Sequence, residues 1–109
     1  MVRGEQAELF INGQRVGSIR VESSEGSWSF GHFEPEDGFA PFAPLFGAWS
    51  LIINEDPNQK LDEAASTALR EAESQIDRLD CRLYITRTHA WVRLEQLNID
   101  GHSADWKTP

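Results

Sequence analysis

Residues 28–53 read WSFGHFEPEDGFAPFAPLFGAWSLII and carry five of the chain's six phenylalanines and two of its four tryptophans. A buried aromatic side chain withdraws about 150–250 Å² from water, so this segment has the material to organise the core of a small domain. Its first part alternates Trp28, Phe30 and His32 with Ser27, Ser29 and Gly31, the period-2 pattern of a half-buried strand. A connection punctuated by proline and glycine follows from Glu34 to Pro44. Beyond it Phe42, Leu45, Phe46, Trp49, Ile52 and Ile53 recur at helical spacing, which predicts a helix over 42–54. Proline is tolerated there only in the first turn, where its missing N–H would be unpaired anyway.

Upstream, Leu9-Phe10-Ile11 leads to Asn12-Gly13, a strong hairpin signal because both residues accept positive φ. Val16, Ile19 and Val21 form the return strand, but Val16 and Ile19 differ in parity. A bulge at Gly17 would bring both to one face. Ser23-Ser24-Glu25-Gly26 makes the next turn.

Downstream, Asp56-Pro57-Asn58-Gln59 has a capping side chain, a first-turn proline and a glutamine three residues on, the marks of a helix start. Leu61, Ala65, Ala68, Leu69, Ala72, Ile76 and Leu79 then lie on one helical stripe. Asp62 and Glu63 suit the positive end of that helix, Arg78 and Arg82 the negative end. Two strands follow, Arg82–Arg87 and Trp91–Asp100, turning at Thr88-His89. Leu94 and Leu97 differ in parity, so the last strand carries a bulge or changes faces. Gly101 begins a polar tail with Trp106 near its end.

The order βββααββ predicts one α+β domain over 1–109, an antiparallel sheet of about five strands with two helices packed on one face. Trp28, Phe30, Phe46, Trp49, Leu69, Ala72, Ile76, Leu83 and Ile85 are its expected core.

Two segments of the chain resemble a group of short bacterial proteins of unassigned function. The first is Trp28, Phe33, Pro35, Phe39, Pro41, Pro44, Leu45 and Phe46. It matches a W-x-x-x-x-F-x-P strand followed by F-x-P-x-x-P-L-F. The second comprises Leu79, Arg82 and Leu83, then the ending Ile99, Gly101, Ala104 and Trp106, which fits I-x-G-x-x-A-x-W. The matched positions are aromatic and turn residues. The resemblance therefore implies a shared fold and brings no activity or catalytic residue with it.

With ten basic residues scattered among eighteen acidic ones, the net charge is −8. Tracking a phosphate backbone or an anionic membrane needs clustered Lys and Arg, so neither nucleic acid nor membrane is an expected partner. Met1–Glu8 lacks the apolar run of a signal peptide and no span approaches transmembrane length, so a cytoplasmic location is expected. Cys81 is the sole cysteine, which excludes an intramolecular disulfide, and its neighbours Leu79 and Leu83 mark it as a small buried residue.

No nucleophile elbow, phosphate loop or dinucleotide glycine pattern occurs, so neither catalysis nor an organic cofactor is expected. His32 has Glu34, Glu36 and Asp37 downstream, and His102 lies between Asp100 and Asp105. Neither group has a recognised metal-ligand spacing, and the simpler reading is a strand histidine at His32 and turn residues at His89 and His102. On the 42–54 helix Leu45 and Ile52 widen the apolar stripe formed by Phe42, Phe46, Trp49 and Ile53. Core packing is the simpler account. An interaction surface of Leu45, Trp49 and Ile52, joined by Trp106 from the tail, is the functional one. The expected function is protein binding or regulation without catalysis, through an unidentified partner or self-association. The alternative is a small-molecule binder or enzyme with a pocket near the Glu34–Pro44 loop.

Overall fold

The computed structural model describes residues 3–47 and 63–108. The second half of the expected 42–54 helix, with Trp49 and Ile52, and the helix start at Asp56 lie outside the described residues, as does the side chain of Leu69. The strands are β1 (Gln6–Ile11), β2 (Gln14–Glu25), β3 (Trp28–Pro35), β4 (Cys81–Ile85), β5 (Ala90–Arg93), β6 (Glu95–Asp100) and β7 (Ser103–Lys107). They form one antiparallel sheet in the order β5-β4-β1-β2-β3-β7-β6. A 3₁₀ turn at Asp37–Phe39, helical residues 43–47 and the helix α1 (Glu63–Asp77) complete the described elements.

This corrects the expected five-stranded sheet under two packed helices: the described residues are mostly sheet, a curled seven-stranded half-barrel, with one helix and one short one among them. Two differences account for the extra strands. The expected strand Trp91–Asp100 breaks at Leu94 into β5 and β6, which lie at opposite edges of the sheet. The expected polar tail is β7, an interior strand between β3 and β6.

The Asn12-Gly13 hairpin forms as its sequence predicts, with φ of 52° and 81° at the two loop residues. This pair of positive angles matches the twist of the flanking strands. The bulge at Gly17 is also present: Leu9 pairs with Gly17 and Phe10 with Arg15, so Val16 is the extra residue. Val16 and Ile19 are both fully buried as a result. A second irregularity sits at Glu22, between the pairs Val21–Gly31 and Ser23–Phe30. A third lies between Glu95 and Asn98 of β6, where Gln96 has φ 50°, and it turns both Leu94 and Leu97 inward. Each bulge adds local twist and bend, and together they curl the sheet around its core.

The parity of β3 is opposite to expectation. Phe30 is 40% exposed and Trp28 half-buried, while Ser29, Gly31 and Phe33 face inward. The reason is Trp106, wholly buried from β7. In register, Ser29 faces Trp106 and Gly31 faces Ala104, so the inner side of β3 is small where the indole lies. A Cβ on Gly31 would stand 2.7 Å from the Arg20 carbonyl oxygen and 3.2 Å from Trp106 Cη2. Turning Trp28 and Phe30 inward would fill the space that Trp106 occupies.

Phe33 extends the core into a ladder of rings, edge-on to Phe39 at 5.0 Å, with Phe39 in turn 5.9 Å from Phe46. Of the other expected core residues, Phe46, Ala72, Ile76, Leu83 and Ile85 are buried. The helix α1 packs on β6.

Because Trp106 fills the concave side, Trp106→Ala should cost about 3–5 kcal/mol of unfolding free energy. Trp106→Phe should cost under about half of that, because it keeps a ring there and removes an indole N–H that is buried without an acceptor among the described residues. Urea denaturation of the three proteins measures both; equal losses would show that the indole's bulk is not what the core needs.

Candidate functional site

Strand β3 carries His32 and Glu34 two residues apart, which places both on the outer, convex face of the sheet. The β6–β7 turn, Gly101-His102, sits beside them, because the Phe33 N–H donates to the His102 carbonyl at 2.7 Å and extends the β3–β7 ladder by one step. His32 Nε2 is 2.6 Å from Glu34 Oε1, and His102 Nδ1 is 3.8 Å from Glu34 Oε2. The two imidazoles are parallel within 4° with centroids 5.4 Å apart. His102 Nδ1 also lies 3.0 Å from the Phe33 carbonyl oxygen, to which it donates in the tautomer with Nδ1 protonated. The hydrogen bond from His32 holds the Glu34 carboxyl below the ordinary glutamate range; desolvation opposes it, and the charges of His102 and then His32 add smaller effects in the lowering direction.

The sequence treats His32 and His102 as two separate groups, each with its own neighbouring acids. The structure brings the two histidines together around Glu34. Glu36 instead turns to β2, with Oε2 accepting from Arg15 Nε at 3.1 Å. Asp105 accepts from Asn98 Nδ2 at 3.1 Å. His89 lies on another part of the sheet, against the Tyr84 hydroxyl at 2.7 Å.

The expected interaction residues fall differently. Trp106 is wholly enclosed and Leu45 is half-buried against the core, while Trp49 and Ile52 lie outside the described residues. Among the described residues the exposed aromatics are instead Phe30 and, at 55% exposure, Trp91. Trp91 stands on the edge strand β5, opposite Tyr84 of β4 in register. Its ring meets Phe10 edge-on at 4.9 Å and Tyr84 at 5.1 Å. Beside it opens a hollow of about 570 Å³ lined by Phe10, Gly13, Asp80, Arg82 and Trp91. Three strands contribute one ring each, so no local sequence pattern announces this corner.

Cys81 is buried, and burial, helped by the nearby Asp80 charge, pushes its thiol up to about 12. It stays protonated at neutral pH and is not a nucleophile. No helix among the described residues is long and apolar enough to cross a membrane.

Folding favours the ionised form of Glu34, so its contribution to stability is present above the unfolded glutamate pKa and is lost as pH falls through the lowered folded value. A carboxyl-detected NMR titration should give Glu34 a midpoint below the ordinary glutamate value, and His32→Ala should raise it. An unchanged midpoint in that variant would remove His32 as the cause.

Compared with protein-family models, curated proteins and solved structures, the chain matches none.

Proposed function

We propose that this chain is a cytoplasmic protein-binding or regulatory module without catalytic activity, and that its contact face is the Phe10–Tyr84–Trp91 corner of the sheet. The observation that carries this reading is the exposure of Trp91 while its ring rests against both Phe10 and Tyr84. An aromatic ring already ordered in the free protein loses little further entropy on binding, and tryptophan and tyrosine dominate the energetic centres of interfaces. The adjoining hollow is of a size to accept an apolar side chain of the partner. Among the described residues strand β5 is also an edge of the sheet, the kind of strand to which a partner's strand can be added.

Charge supports a basic partner. A net charge of −8 attracts a cationic protein over a Debye length and raises its association rate, in the way inhibitors of basic toxins and nucleases are steered. The hollow's own charges are matched locally, since Arg82 Nε is held by Asp80 at 2.9 Å. The long-range field therefore provides steering, and the aromatic corner provides the lasting contact.

Trp91→Ser tests the reading. The wild-type and variant proteins are compared as baits for proteins of the native host, with sedimentation of each protein alone to detect self-association. Stability should fall by about 1–3 kcal/mol, two ring contacts at about 0.5–1.5 kcal/mol each. A partner, or a dimer, held by the wild type should be held at least tenfold more weakly by the variant, and its association should slow with added salt. Equal retention by both baits would contradict the assignment of this face.

A further inference from the structure

We infer that His32, Glu34 and His102 form a binding site for a divalent transition-metal ion of the zinc type, on the outer face of the sheet where β3 meets the β6–β7 turn. The inference is independent of the aromatic corner, which lies at the other end of the strand order. It concerns a bound ion and ascribes no catalysis to it.

The donor set is the first argument. Zinc takes imidazole nitrogen at about 2.0–2.1 Å and carboxylate oxygen at about 2.0–2.2 Å. Two donors on one tetrahedral ion therefore stand about 3.3–3.5 Å apart. Here one donor atom from each of the three residues lies within 4.8 Å of the others. His32 Nε2 and Glu34 Oε1 are closer than that tetrahedral spacing, at 2.6 Å, and His102 Nδ1 and Glu34 Oε2 a little farther, at 3.8 Å. Admitting an ion asks exposed side chains to move by roughly an ångström, with no change in the backbone.

The backbone supplies the second argument. His32 and Glu34 are fixed to one face by the strand period, and His102 is held beside them by the hydrogen bond between Phe33 N–H and its carbonyl. Three ligands from two hydrogen-bonded segments are thus brought together before any ion arrives. To bind through Nδ1, His102 takes the tautomer protonated at Nε2 and exchanges its 3.0 Å contact with the Phe33 carbonyl for the ion.

Charge supplies the third. Among the described residues Glu34 pairs only with His32 and His102, so no Lys or Arg neutralises the carboxylate. Two imidazoles with one carboxylate select zinc, copper or nickel over magnesium and calcium, which prefer all-oxygen sites. Three protein ligands leave a tetrahedral ion one position, which faces solvent here. Bound there, the ion ties the β6–β7 turn to β3 and so holds the hairpin that carries Trp106.

Isothermal titration of zinc chloride into tag-free, chelator-treated protein tests this. One equivalent should bind, and excess magnesium should not displace it. His32→Ala, His102→Ala and Glu34→Gln should each weaken binding by at least about tenfold. The affected side chains are on the outer face, and far-UV circular dichroism confirms that each variant is folded. On the wild-type protein, NMR should show zinc shifting the imidazole signals of His32 and His102 and leaving those of His89 in place. No saturable uptake, or uptake unchanged in the His32→Ala/His102→Ala double variant, would overturn the site. Equal shifts at all three histidines would likewise show only diffuse attraction to an acidic protein.

Discussion

One residue sets the shape of this protein. Arg93 belongs to the β4–β5 ladder, Glu95 to the β6–β7 ladder, and only Leu94 stands between them. Two residues of extended chain reach about 7 Å, so the two outer strands of a seven-stranded sheet must meet at that end. A flat sheet cannot satisfy this, and the sheet curls into a half-barrel whose two outer strands meet at that one end. Leu94 is held there by its N–H, which donates to the Cys81 carbonyl at 2.9 Å, and by burial of its side chain. The bulges at Val16, Glu22 and Gln96 supply the bend that this closure needs.

Closure at one end determines what fills the middle. The inner faces of all the central strands converge on one core, from Leu9, Ile19 and Leu83 across to Phe33 and Trp106. The small residues Ser29 and Gly31 are the complement of Trp106, and the same parity pushes Phe30, His32 and Glu34 onto the convex face. The outer features are therefore consequences of the inner packing. Had β3 buried Phe30, the histidine beside it would have faced the core as well. On the far side of the sheet, the pairing of β4 with both β1 and β5 assembles Phe10, Tyr84 and Trp91 on the outside.

Much of the local architecture is legible in the sequence. Asn12-Gly13 specifies its hairpin by backbone conformation alone, and the parity conflict between Val16 and Ile19 announces a bulge where glycine permits one. The similar conflict between Leu94 and Leu97 signals the irregularity in β6, but not that Leu94 links the two edges of the sheet. What stays hidden depends on long-range pairing. The run 103–107 has only Ala104 and Trp106 on its inner face, too short an alternation to stand out from a polar tail, and it becomes a strand because β3 and β6 flank it. The outward turn of Trp28 and Phe30 follows from the same event, since larger aromatics are the expected core wherever no competitor is seen. The His32–Glu34–His102 cluster is invisible for the same reason: its members meet only once β7 lies beside β3.

The central claim is that the C-terminal hairpin is built into the sheet beside β3, and that the core, the outer histidine cluster and the curl depend on this placement. The most direct measurement is backbone NMR of the intact chain, reading nuclear Overhauser contacts between β3 and β7 together with amide exchange along β7. The account predicts cross-strand contacts for the pairs Ser29–Trp106 and Gly31–Ala104. It also predicts that amides from Ala104 to Trp106, flanked by a strand on each side, exchange as slowly as those of β1. Free-chain exchange rates in that stretch, with no contact to β3, would contradict it.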